Sequence, residues 1–169
     1  IGVSNVSLDQ LEAYNAAGEL SSNQFRYSML LRDREADILP YCAHNHIATL
    51  TYWSLEQGLL TGKVKLDRVF DENDFRKNAA EWLPWFKKEN IKRLLDMFAT
   101  WTDLLEKHSC NLSQLTIAWT AAQHGTTHIL CGVKTADQSI QNAGAGAITL
   151  EEFEIQRIRN DLLALGDPI

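Results

Sequence analysis

The chain has 169 residues, about one domain's worth, a length that buries roughly 70 % of the unfolded surface. Its formal charge of −6, with no Lys/Arg run longer than Lys87-Lys88, weighs against a protein that grips nucleic acid by its phosphates. Ordinary apolar content excludes a disordered chain, and no apolar run approaches the ~20 residues that cross a bilayer or forms a signal peptide. Neither a nucleic-acid nor a membrane partner is expected.

Four short β-type segments each lead into a helical pattern. Ile1–Val3 leads to Leu8–Ala17, with Ser7 to Gln10 as the helix start. Ser21–Phe25 leads to Asp33–Asn45, with Pro40 in the first helical turn. Ile47–Tyr52 leads, after a long insertion at 63–90, to Ile91–His108 and Leu112–His124. Thr127–Cys131 leads to Ala136–Gly144, and Glu151–Leu165 is a terminal helix. This alternation predicts βα units and a parallel sheet, an α/β fold in one domain spanning 1–169.

Periodicity marks the helices. Ile91, Leu94, Leu95, Phe98, Trp101 and Leu105 recur at three- and four-residue steps. Asn111 is placed to cap the next helix and Gly125 to end it. Segment 63–90 is too long for a compact βα connection and reads as a functional or mobile loop. Cys42, Cys110 and Cys131 are odd in number, widely spaced and without a CxxC, as for reduced thiols in a cytoplasmic protein. His44-x-His46 lacks a nearby third ligand and reads as surface. His108, His124 and His128 read as caps or surface groups.

Polar residues gather where the strands end: Ser4-Asn5, Asn23-Gln24, Tyr52-Trp53-Ser54 and Gly132-Val133-Lys134. In parallel α/β proteins the carboxyl ends of the strands build the ligand site. Thr135 and Gln138 have capping-box spacing, and that helix start beside Lys134 is either an anion site or an ordinary capped surface helix. Gly58 and Gly62 allow tight backbone. Tyr52 offers a flat face for a planar ring, or is a core aromatic.

These same stretches resemble the aldo-keto reductase family, in its bacterial and potassium-channel β-subunit-like branches. IGVSN matches the family's fifth barrel strand and SSNQFRYSMLLRD its sixth. TYWSLEQGLLTGK matches the seventh, and QLTIAWTAAQHGTTHILCGVKTADQSIQN the eighth strand with its preceding helix and cofactor loop. The resemblance implies the C-terminal half, strands 5–8, of a (β/α)8 TIM barrel. It also implies a parent enzyme that reduces aldehydes or ketones with NADP(H), or with NAD(H).

Carried over residue by residue, Ser4, Asn5 and Gln24 would hydrogen-bond the nicotinamide carboxamide, and Tyr52 would stack on its ring. The loop Trp53–Leu60, with Trp53, Ser54, Leu55, Gln57, Gly58 and Leu60, would wrap the pyrophosphate. Gly132, Val133 and Lys134 would follow the adenosine phosphate, with Gln138, Gln141 and Asn142 near the ribose phosphate and adenine. Phe70 to Phe86 resembles the loop that closes over cofactor and substrate.

Departures from the family pattern stand beside these matches. Trp53 and Ser54 replace Ser and Pro, Glu56 replaces a Gly, Gln141 replaces Glu, and His46 replaces a Gly. Glu56 is expected to repel a pyrophosphate. The family's catalytic Asp, Tyr, Lys and His belong to its first four strands and match nothing here, so this chain alone is expected to be inactive. A half-barrel would pair with the N-terminal half or with a second copy of itself. A non-catalytic half-barrel binding or assembly protein is the alternative.

Overall fold

A computed structural model describes residues 1–169. Four strands, β1 (Gly2–Ser4), β2 (Ser22–Arg26), β3 (Ala48–Tyr52) and β4 (His128–Ile129), form one sheet in the order β1-β2-β3-β4. All neighbours are parallel, with Ser4 opposite Gln24, Arg26 opposite Tyr52 and Thr51 opposite Ile129. Every strand therefore ends at the same edge of the sheet.

Helix α1 (Leu8–Ala17) starts as its sequence dictates: Ser7 Oγ accepts from the Gln10 N–H, and Gln10 Oε1 accepts from the Ser7 N–H. Helix α2 is shorter than the expected Asp33–Asn45. A 3-10 turn at Asp33–Glu35 precedes Ile38–His44, where Asp37 caps and Pro40 sits in the first turn, where a missing N–H costs nothing. His46 then takes a left-handed φ of 57°, the conformation that favours the family's glycine.

The expected helix Ile91–His108 is two helices, α3 (Lys88–Ala99) and α4 (Thr102–Lys107). Between them the Thr100 hydroxyl donates to the Met97 carbonyl at 2.7 Å, and the fully buried Trp101 donates its indole N–H to Asp161 at 2.8 Å. Seating that indole in the core bends the chain. Helix α5 (Leu112–Ala121) is capped by Asn111 with Gln114. It ends at Ala121 rather than at the expected His124, and the Thr126 hydroxyl lies within 3.0 Å of the carbonyls of Thr120, Ala121 and Gln123, to one of which it donates. Gly125, at φ 85°, instead makes the turn into β4, where a Cβ would sit 2.6 Å from the Leu39 carbonyl.

β4 is shorter than the expected Thr127–Cys131. At its start, side chains replace the ladder: the Thr49 N–H donates to Thr127 Oγ1 and the Thr127 N–H to Thr49 Oγ1. Helices α6 (Ala136–Gly144) and α7 (Glu152–Leu165) complete the chain. The larger core lies between segment 59–104, α5 and α7, around Trp101, Trp119, Leu115 and Ile158; a smaller one joins β2, α1 and α2 around Phe25 and Tyr27. Residues 63–90 are partly built into the larger core through Val64, Ala79, Leu83, Trp85 and Phe86.

Strand alternation divides the sheet. Asn23, Phe25, Thr49 and Thr51 are buried under the helices, whereas Ser4, Gln24, Arg26, Leu50 and Tyr52 stay partly or fully open on the other face. No helix covers that second face, and β1 and β4 have free edges. His108, expected as a cap or a surface group, is the C-cap of α4, and its ring is half-buried. It lies within 3.0 Å of the fully buried Glu154, which Lys107 also meets at 2.9 Å.

Candidate functional site

A cleft of about 1030 Å³ lies at the carboxyl edge of β3 and β4. Its walls come from the loop after β3, the loop after β4, the first turns of α6 and segment 63–76. A cleft of this size, half-open and part aromatic, has the dimensions of a cofactor site. Its charged lining is all cationic: Lys63, Arg68, Arg76 and Lys134, without a single carboxylate, in a chain of net charge −6. Such a wall suits a bound anion.

Of the residues singled out in the sequence, Tyr52, Trp53, Ser54, Leu55, Gln57, Gly58, Gly132, Val133, Lys134, Gln138, Gln141 and Asn142 line this cleft. Ser4, Asn5 and Gln24 do not. They lie beside it on the open face of the sheet, and the Tyr52 hydroxyl reaches Asn5 Oδ1 at 3.0 Å. β2 runs on to Arg26, so Asn23-Gln24 is not the strand tip. Asn23 is buried on the helix side near Cys42 Sγ. Leu60 is a correction: its side chain is fully buried in the core and its carbonyl accepts from Thr116 Oγ1 at 3.1 Å, so it offers the cleft nothing.

Glu56 is the second correction. It is 2 % exposed and turned away from the cleft. One carboxylate oxygen accepts from Arg26 at 2.6 Å and the other from the Ser28 hydroxyl at 2.6 Å. The Arg26 guanidinium also lies 4.5 Å from the centre of the Trp53 ring. The expected repulsion of a phosphate is therefore absent.

At the α6 start, the Gln138 N–H donates to Thr135 Oγ1 at 3.2 Å. Gln138 Oε1 accepts from the Lys134 N–H at 2.7 Å, one residue before the cap N–H that the spacing predicts. Lys134 Nζ remains exposed at the rim, 3.9 Å from Asp74. The hydrogen bonds from Arg76 hold the Asp74 carboxyl well below the usual carboxylate range, and Lys134 adds a smaller pull. Arg76 also donates to the Gln57 carbonyl at 3.0 Å, which ties segment 63–90 to the loop after β3.

Lys63, Arg68, Phe70, Phe75, Arg76, Ser113 and Cys131 also line the cleft, although no motif marks them individually. The recurring arginines and aromatics of 68–76 were the available signal. Cys131 keeps its proton, since burial pushes the thiol up to about 11.

The sequence as a whole fits the aldo/keto reductase family model over residues 1–161. The chain belongs to the aldo/keto reductase family. An NADH-specific methylglyoxal reductase of Escherichia coli is 34% identical over 98% of this chain and 49% of its own length. Aldo-keto reductase YhdN of Bacillus subtilis is 32% identical over 100% of this chain and 50% of its own. The glycerol dehydrogenase of Gluconobacter oxydans shares the fold at a TM-score of 0.84, with 28% identity over 99% of this chain and 50% of that one. The chain thus spans about half the length of these relatives. No helix is long and apolar enough to cross a membrane.

Proposed function

We propose that this chain is the C-terminal half of a (β/α)8 barrel and carries the nicotinamide-dinucleotide side of a carbonyl-reducing aldo-keto reductase. The observation that carries the reading is the all-cationic cleft at the carboxyl edge of a parallel sheet, with Tyr52 on its wall. A dinucleotide needs a site for its phosphates and a flat face for its ring. Arg68 and Lys134 supply the first and Tyr52 the second, while Arg76, already paired with Asp74, braces the loop through the Gln57 carbonyl. The donor set therefore fits the group, whether NADP(H) or NAD(H).

A bound reduced cofactor supplies the hydride that turns an aldehyde or ketone into an alcohol. This chain's residues bind and orient. Tyr52, steadied by its bond to Asn5, fixes the plane of the ring. Gln57 and Gly58 bring backbone close to the pyrophosphate. Segment 70–76 shields the cleft from water with Phe70 and Phe75. The proton that the developing alkoxide requires comes from the other half of the barrel, where the family keeps its Asp, Tyr, Lys and His. That half covers the open face of the sheet in a cytoplasmic enzyme; a second copy of this chain is the other candidate to cover it.

The test is a hydride-transfer assay on the full-length protein with a small aldehyde and each reduced cofactor. Consumption of cofactor that requires the aldehyde supports the proposal. No turnover together with no cofactor binding overturns it.

A further inference from the structure

The loop after β3 holds an improbable backbone. Trp53, Glu56 and Gln57 have φ values of 59°, 45° and 56°, and Gly58 follows at 99°. An L-residue in this left-handed region is disfavoured about tenfold against its ordinary conformation. Several in one short loop persist only where the surroundings over-determine them. Three of these four residues, Trp53, Gln57 and Gly58, line the cleft. The fourth, Glu56, does not face it.

What over-determines the loop lies behind it. Glu56 accepts from Arg26 and from Ser28, each at 2.6 Å, and both donors belong to β2 or the turn after it. Arg26 packs its guanidinium against the Trp53 ring, 4.5 Å from the centre. A single arginine at the tip of β2 thus fixes the first and the fourth residue of the loop. Neither Arg26 nor Glu56 touches the cleft.

We infer that Arg26 and Glu56 are positioning residues that hold the Trp53–Gly58 loop in its binding conformation, so that the pair sets cofactor affinity without contacting the cofactor. The inference rests on the cofactor reading above. Its logic is that of a competent fraction: if the tie is cut and the loop occupies its strained form only a tenth of the time, the apparent Kd rises about tenfold. The pair stands behind the loop and outside the cleft, so the rate at saturating cofactor is expected to stay as it is.

The experiment compares Arg26→Met, Glu56→Leu and the double variant in the full-length protein, by fluorescence titration with NADH and NADPH. The double variant leaves no orphaned charge and guards against a single variant that fails to fold. The expected result is a Kd raised about tenfold or more in each single variant, with kcat at saturating cofactor unchanged. The double variant shows the same loss as either single one, as two ends of one tie require. Lowered thermal stability with unchanged Kd overturns the inference, and so does an additive loss in the double variant. Failure of the unsubstituted protein to bind either cofactor is a separate result. It overturns the cofactor reading and this inference with it.

Discussion

Tyr52 and Asn5 are joined by a 3.0 Å hydrogen bond between the tips of β3 and β1, although 47 residues separate them in sequence. The bond crosses the open face of the sheet past β2, which lies between the two strands. It ties the cleft wall to the residues at the end of β1, and Asn5 itself stands at φ 55°.

Removing the hydroxyl and removing the ring have different consequences. Tyr52→Phe loses one partly exposed hydrogen bond and is expected to cost about 1 kcal/mol of stability, with a small rise in cofactor Kd. Tyr52→Ala removes the flat face and is expected to weaken cofactor binding far more. Urea unfolding and cofactor titration on both variants check the order; equal binding by the two would remove Tyr52 as a stacking surface.

His46 is the exposed residue whose backbone is most simply improved. At φ 57° it has no contact that requires a side chain. His46→Gly is expected to stabilise the protein by about 1 kcal/mol, read as a higher urea midpoint with an unchanged slope.

Glu154 anchors three partners from a fully buried position: the Lys107 ammonium, the His108 ring and the Glu151 N–H. Burial pushes its carboxyl up, but the hydrogen bonds from Lys107, Glu151 and His108 together outweigh it and hold it low. Glu154→Ala is expected to cost about 2 kcal/mol, because it removes a buried acceptor and leaves the His108 ring and the Glu151 N–H without their partner. Glu154→Gln, which keeps one acceptor, costs less.

The acid limb of stability follows from the same groups. Asp74 and Asp103 are held low by hydrogen bonds from Arg76 and Arg157, and Glu154 is held low as described. A carboxyl depressed in the folded state contributes stability that is present above its unfolded value near pH 4 and lost as pH falls below it. Unfolding followed from neutral pH downward is expected to show a decline that begins near pH 4, and Asp103→Asn is expected to flatten it.

Much of this was legible in the sequence, and the limits have physical causes. The helix starts at Ser7 and Asn111 depend on spacing within four residues, so the chain spells them out. The gathering of Tyr52, Gly132 and Lys134 follows from parallel strands, which end at one edge whatever their side chains. The orientation of Glu56 was not legible. It depends on Arg26, 30 residues away, and on left-handed backbone that no local pattern announces. The break at Trp101 is similar, since the helical period continues through it and only the seat of its indole against Asp161 reveals the bend. Leu60 has the right place in the loop for a cofactor contact, but its side chain belongs to the core.

The most direct measurement is amide hydrogen exchange on the full-length protein with and without saturating reduced cofactor. The account predicts added protection concentrated in residues 52–58 and 132–142, with a smaller effect at 70–76. Binding that protects neither of the first two segments, or that protects a surface away from the strand tips, would contradict it.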